Sequence, residues 1–249
     1  MKTISIIEIF RQMNRKINDR CFESGGNTFR HYLKRIEQNS AVAGVVLDLG
    51  AGAVTLASYL PAVSQKSLII AVDSSIQGLL RNVSRARVVA NAERLPFRDS
   101  SIHVIAASCV FEHIEQPLQI LKECFRVLRR RGELVFYTPH KRSYVAVLAR
   151  ITPMCVHRLV RVLQTGKSFR EIEVIPTFYR MNTKAELHSQ KGSFDVVSLE
   201  THIGAPCYTT FFPPPIHVNF VLFHKIVEKV QWIRESIGEV LIGCFVKPE

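Results

Sequence analysis

Apolar residues recur along the chain with two periods, and the alternation between them outlines the fold. Ile4 to about Phe22 and Thr28 to Gln38 carry them at helical spacing, which predicts two amphipathic helices capping the first strand. A short apolar run follows, Gly44-Val45-Val46-Leu47-Asp48-Leu49, and ends at a glycine-rich turn, the mark of a buried strand feeding a helix. Ser67 to Asp73 repeats the pattern, with a helical stretch from Ser75; Val88-Val89 predicts a third strand and Ile102 to Ala107 a fourth. Pro117 opens the clearest helix, with Leu118, Leu121, Phe125 and Leu128 on one face. Gly132 follows its basic end, and Glu133 to Thr138, closed by Pro139, predicts a fifth strand. Strand–helix alternation of this kind implies an α/β chain with a parallel sheet covered by helices on both faces.

Beyond Pro139 the pattern is less regular. Ser143 to Leu163 reads as a helix interrupted at Thr152-Pro153, Thr165 to Arg180 as a loop with an extended segment, and Lys184 to Gln190 as a short helix. Phe194 to Glu200 and Val240 to Val246 predict the last two strands, separated by Pro213-Pro214-Pro215 and a long amphipathic helix over about Ile216 to Glu235. No repeat, low-complexity stretch or Gly/Ser linker divides the 249 residues, so a single domain, 1–249, is expected. Its parts are a helical cap (1–43), a core (44–139) and a less regular remainder with the last two strands (140–249).

Composition narrows the class. Apolar residues at 47% and charged residues at 22% fit a globular core rather than disorder. The six cysteines form no C-x-x-C pair and lie near no histidine cluster, which predicts reduced, mostly buried thiols and no structural metal, as in a cytoplasmic protein. Met1 to Lys16 does not read as a signal peptide, because Glu8 interrupts its apolar run. No window approaches the ~18 apolar residues of a membrane span. The net charge of +12 favours anionic partners, but it is spread; Arg129-Arg130-Arg131 is expected at a helix end, where it offsets the helix dipole.

The chemistry concentrates at Val46-Leu47-Asp48-Leu49-Gly50-Ala51-Gly52. Two glycines one residue apart, between a buried strand and a helix, leave no Cβ in the way of a ligand pressing on the backbone. Taken alone, a tight turn without a ligand is the favoured explanation of them. Asp73, ending the next strand, can accept two hydrogen bonds from a ribose diol or can cap the helix that follows. The dinucleotide fingerprint G-x-G-x-x-G fails, since Thr55 stands at its third glycine. Asp48, two residues before Gly50, suits the ammonium of an amino-acid ligand.

Four segments in order, VLDLGAG (Val46 to Gly52), AVD (Ala71 to Asp73), NAERLPFRDSSIHVI (Asn91 to Ile105) and VFEHIEQPLQILKECFRVL (Val110 to Leu128) running into RRRGELVFYTP, resemble the class I S-adenosylmethionine-dependent methyltransferases, in the small-molecule branch that includes the quinone-biosynthesis C-methyltransferases. The resemblance covers roughly residues 44 to 139. It implies a Rossmann-like seven-stranded, mostly parallel sheet of order 3-2-1-4-5-7-6, with an N-terminal helical cap and inserted helical lid segments. It also implies the cofactor S-adenosyl-L-methionine. By the same resemblance Gly50, Ala51 and Gly52 would cradle the methionine portion, with Asp48 near its amino group through water. Asp73 would hold the ribose hydroxyls, and Ser74 and Ile76 would flank the adenine. Asn91 and the Ala92 N–H would read the adenine, and Ser108 and Cys109 would line the methyl-transfer channel. The chain departs from the family pattern at Val54, which can narrow the turn, at Asn91, at His103 and at Arg130-Arg131-Gly132.

Methyl transfer by in-line displacement depends on positioning, and a base is needed only where the acceptor must lose a proton. His113, after the fourth strand, and His140, after the fifth, are the candidates. A structural histidine bonded to backbone is an equal reading of His113, and a solvated loop residue the favoured one of His140; Tyr137 reads as core. Acceptor selection is expected in 1–40, 140–193 and 201–238. There Thr177 to Thr183 resembles a lid of relatives with glycan or lipid-linked substrates, and Phe211 to Pro215 reads as a packed loop rather than a hydrophobic mouth. The basic helix Ser143 to Leu163 reads as covering a core with its charged face in water, with contact to an anionic membrane the alternative. The expected partner is a small-molecule or lipid-linked acceptor. An RNA methyltransferase, favoured only by net charge, and a non-catalytic binding protein of the same fold are the alternatives.

Overall fold

The computed structural model describes residues 5–22, 28–39, 44–166 and 175–249. Helices α1 (Ile6–Cys21) and α2 (Thr28–Asn39) precede β1 (Val45–Leu49), and the short α3 (Leu56–Tyr59) and α4 (Pro61–Lys66) lead to β2 (Leu68–Asp73). There follow α5 (Ile76–Arg81), β3 (Ala86–Val89), β4 (Ile102–Ser108), α6 (Pro117–Val127) and β5 (Leu128–Pro139). Then come α7 (Tyr144–Ile151), α8 (Met154–Thr165), α9 (Lys184–Gln190), β6 (Asp195–His202), α10 (Pro214–Lys229), α11 (Gln231–Ile237) and β7 (Val240–Val246). The expected loop from Thr165 falls largely on 167–174, outside the described residues.

The strands form one seven-stranded sheet of order β3-β2-β1-β4-β5-β7-β6, and β3, β2, β1, β4 and β5 run parallel. Both faces are buried, as near-continuous apolar strands require. Leu47, Leu49, Ile105, Leu134, Phe136, Leu241 and Phe245 pack on one side with α6 residues Ile120, Leu121 and Cys124. Val46, Ile69, Val104, Val135 and Ile242 pack on the other with Tyr32 and Ile36 of α2 and with Leu56, Leu60 and Val63.

The chain divides into two compact units. The sheet unit holds Phe29–Pro139, Thr177–Glu200 and Leu241–Glu249; the helical unit holds Met1–Thr28, His140–Pro176 and Thr201–Val240. The expected cap is therefore split. Residues of α2 from Phe29 onward belong with the sheet, because Tyr32 and Ile36 are fully buried against it, while α1 groups with α10.

Three further expectations change. The arginine run lies within β5, not at a helix end: Leu128 is already extended and pairs with Ile102, and Arg131 has φ +58° and donates its N–H to Lys247 O at 2.9 Å. The long helix over 216–235 is two helices, interrupted at Val230, and α10 carries apolar residues on both its buried and its exposed side: His217, Val221, His224 and Val227 are buried, whereas Ile216, Leu222, Phe223 and Ile226 are exposed. Only Cys124 and Cys244 are buried; the other four cysteines are exposed, and all six are free.

Inside the helical unit, polar groups replace part of the core. His217 bridges Thr209 Oγ1 (2.8 Å) and Asn18 Oδ1 (3.0 Å), and His224 bridges Gly204 O (2.7 Å) and the Tyr144 hydroxyl (3.2 Å). Burial pushes both histidines below their usual range and pushes Glu239, 3.7 Å from His224, up to about 7. Phe212 stacks on Phe220, and its carbonyl accepts from Asn14 Nδ2 at 2.8 Å, so the Phe-Phe-Pro stretch is a packed loop.

Candidate cofactor site

The site occupies the carboxyl ends of β1, β2 and β4 in the sheet unit. After β1 the chain reverses through Gly50 (φ +69°) and Gly52 (φ +51°), left-handed conformations that favour glycine. The turn is closed on β2, where Val72 O accepts from Gly50 N–H (2.8 Å) and Ala51 N–H (3.0 Å). A Cβ on Gly50 would lie 2.4 Å from Val110 Cγ2, so that position admits no side chain. Gly78, at the start of α5, matters for the same reason: its Cβ would meet Gly52 Cα at 3.2 Å.

Asp73 joins the turn to the next helix. Its Oδ2 accepts from Gly52 N–H at 2.8 Å and its Oδ1 from Ser75 N–H at 2.7 Å. It is not the cap of α5; Ser75 is, with its hydroxyl accepting from Gly78 N–H at 3.3 Å. Each Asp73 oxygen retains a lone pair for a further donor. Asp48 is buried and accepts one long bond, from Leu56 N–H at 3.4 Å. Burial pushes its carboxyl up to about 7; the Leu56 N–H opposes this and the nearby Asp73 charge adds to it.

Val54 turns 57% of its surface to solvent and so leaves the inside of the turn unfilled. A residue missed in the sequence holds the turn from behind. Asn82, buried at the end of α5, donates from Nδ2 to Gly52 O (3.1 Å) and Val54 O (2.8 Å) and accepts at Oδ1 from Thr55 Oγ1 (3.1 Å) and Ser84 N–H (2.9 Å). An asparagine after a short helix carries no pattern that marks it beforehand.

The remaining predicted positions fall around this turn with varied exposure. Ser74, Ile76 and Asn91 are exposed, Ala92 is half-buried, and Asn91 Oδ1 accepts from Glu93 N–H at 2.8 Å. Ser108 ends β4, in register with Tyr137, and Cys109 beyond it is exposed with φ +55°. A non-glycine residue held left-handed stores local strain at the end of a central strand. His103 sits low on β4, where its Nδ1 accepts from Val45 N–H at 3.2 Å; it pins the start of β1 and takes no part in the turn.

Of the two candidate bases, His113 is half-buried, with Nε2 3.9 Å from Glu112 Oε1. Glu112, unremarked in the sequence, is buried and bonded to Thr138 Oγ1 at 3.1 Å; burial raises its carboxyl above the usual range. His140 is not a solvated loop residue. It is buried in the helical unit, its N–H donating to Glu239 O at 2.7 Å. Nor is Thr177 to Thr183 a lid: Tyr179, Met181 and Asn182 are buried in the sheet unit, Phe178 and Tyr179 donate their N–H groups to Glu112 O, and Asn182 Nδ2 donates to Thr138 Oγ1 at 2.7 Å.

Comparison with known proteins agrees with this geometry. Residues 47–136 match the methyltransferase-domain family Methyltransf_11. The chain is 35% identical over 103 residues to a malonyl-[acyl-carrier protein] O-methyltransferase of Marinomonas sp., covering 39% of this chain and 38% of that one. It is 34% identical over 94 residues to a demethylmenaquinone methyltransferase of Thermotoga maritima, covering 36% and 41%. The matches thus span less than half of those relatives. In fold it resembles the geranyl diphosphate C-methyltransferase of Streptomyces coelicolor, with a TM-score of 0.52, 13% identity and coverage of 88% of this chain and 80% of that one. No group of three or more His, Cys, Asp or Glu residues able to hold a metal occurs among the described residues, and no described helix is long and apolar enough to cross a membrane.

Proposed function

We propose that the protein transfers a methyl group from S-adenosylmethionine to a small or lipid-linked acceptor. The observation that carries this reading is the Gly50-Ala51-Gly52 turn tied through Gly52 N–H to the Asp73 carboxylate. The residues fit the cofactor: a left-handed turn leaves backbone open to the amino-acid portion, and Asp73 keeps acceptor capacity for a diol. Bound there, the cofactor supplies an electrophilic methyl group on a sulfonium. Gly50, Ala51 and Gly52 hold its methionine end and Asp48 attracts the ammonium. Asp73 orients the ribose, Ser74, Ile76, Asn91 and Ala92 flank the adenine, and Ser108 and Cys109 face the transferred carbon. Positioning of this kind supplies much of the acceleration in a displacement. Where the acceptor must lose a proton, His113 is the base at this end of the sheet.

An apolar acceptor is supported by the helical unit, which leaves Leu148, Ile151, Leu159, Leu222 and Ile226 exposed alongside Arg150, Arg158 and Arg161. Such surfaces suit lipid or acyl chains with anionic headgroups. Calorimetry with S-adenosylhomocysteine tests the central reading. Binding by the wild type and its loss in Asp73→Ala support it; no binding by the wild type favours a non-catalytic role.

A further inference from the structure

Tyr32 has a hydroxyl that the fold does not use. It lies on α2 in the sheet unit, fully buried, and its oxygen has no hydrogen-bond partner. Its ring packs on Phe29 (5.3 Å between centroids) and on Tyr137 (6.1 Å), in a cluster otherwise made mainly of Val, Ile and Leu. Phenylalanine would serve that packing as well and would bury no polar group. The hydroxyl therefore answers to something other than the core.

Its surroundings say what. Tyr137 is in register with Ser108, and Cys109 N–H donates to Tyr137 O at 2.8 Å, which places the aromatic cluster beside the end of β4. On the β1 side stands Asp48, whose carboxylate accepts only the long bond from Leu56 N–H. Burial first, then the charges of Asp48 and Cys109, push the phenol above its usual range, so it stays a neutral O–H with one proton to give and two lone pairs. Two buried oxygen groups thus lie near the glycine turn with spare acceptor capacity, one of them an anion when ionised. That combination calls for a compact cation bearing several N–H donors.

We propose that Tyr32 is a ligand-contacting residue whose hydroxyl, together with the Asp48 carboxylate, takes the α-ammonium group of the bound nucleoside's amino-acid end. The ammonium donates to the phenol oxygen and to Asp48, so that the unpartnered hydroxyl and the under-bonded carboxylate each gain a partner. Tyr32 then selects for an intact amino-acid portion, a role distinct from holding the ribose. The inference rests on reading the turn as an S-adenosyl site.

The test compares S-adenosylhomocysteine with its desamino analogue by calorimetry on the wild type and on Tyr32→Phe, with thermal melting as a check on the fold. The wild type is expected to prefer the amino-bearing ligand, and Tyr32→Phe to reduce that preference about tenfold by weakening S-adenosylhomocysteine alone. Equal binding of both ligands by the wild type overturns the proposal without any variant. So does a Tyr32→Phe protein that binds both as the wild type does, or that weakens both by one factor, the mark of a purely structural residue. A wild type that binds neither ligand removes the site reading itself, a failure distinguishable from the others.

Discussion

The N–H of Gly52 and the Oδ2 of Asp73 are 2.8 Å apart, so the glycine turn after β1 and the carboxylate after β2 form one hydrogen-bonded unit. Removing the carboxylate frees the turn as well as the ribose contact. Asp73→Ala is expected to weaken S-adenosylhomocysteine by about 100-fold, about 2.7 kcal/mol, the upper part of the range of about 1.5–3 kcal/mol for bonds to a charged group. Asp73→Asn, which keeps an acceptor for Gly52, should lose less. Calorimetry on the two variants checks the order.

Asn82→Ala removes two donors to the turn without touching the ligand region directly. It takes away the side-chain donor to the partly buried Gly52 and Val54 carbonyls and leaves the Thr55 hydroxyl only the bond it accepts from Val83 N–H, a loss of about 1–3 kcal/mol. The expected outcome is a lower midpoint in urea and weaker cofactor binding together, measured by denaturation and calorimetry.

Asp48 gives a pH signature. Its carboxyl is raised from 3.8 to about 7, chiefly by burial, so the native state binds a proton that the unfolded chain has lost. Its contribution to stability is fully present below the unfolded value, falls as pH rises through that window at up to about 1.4 kcal/mol per unit, and is flat above the folded value. Asp48→Asn removes the slope. Its melting temperature should gain on the wild type as pH climbs through the window and hold that gain above it. Parallel melting curves at every pH would contradict this, and S-adenosylhomocysteine binding should weaken in the same variant.

Gly243→Ala tests the core beneath the site. The added methyl would lie 2.2 Å from Phe136 Cζ, inside the face that also holds Phe245. Overpacking of this kind costs about 1–3 kcal/mol, and chemical denaturation should show at least that.

The exposed apolar side of α10 and the arginines of α7 and α8 predict adsorption to vesicles containing anionic phosphatidylglycerol, weakened by salt. Leu222→Ser with Ile226→Ser should reduce co-sedimentation and leave S-adenosylhomocysteine binding unchanged. Equal sedimentation of the double variant would remove this surface from consideration.

The strands and the glycine turn were legible in the sequence because each is a local signal: short apolar runs ending in Gly50 and Asp73. The strand order followed from resemblance and matches the structure. What sequence could not supply was set by contacts between distant residues. Asn82 and Tyr32 have no motif; their importance lies in partners held, or left open, across the fold. Tyr179, Met181 and Asn182 resembled a lid because their polar and aromatic character says nothing of burial. The helix over 216–235 read simply as amphipathic, and nothing in it marked His217 and His224 for burial, because they find polar partners that only the folded unit provides.

Sheet order also constrains how the molecule assembles. β7 follows β6 along the chain yet lies between β5 and β6. Until residues 240–246 arrive, β6 has no neighbour to pair with and Phe136 lacks the Phe245 ring 5.0 Å away. Non-local strand insertion of this kind is slow because its loop entropy precedes any gain from contact. A nascent chain on the ribosome must therefore keep that slot vacant while its flanks are already made, and chaperone dependence should concentrate in that interval.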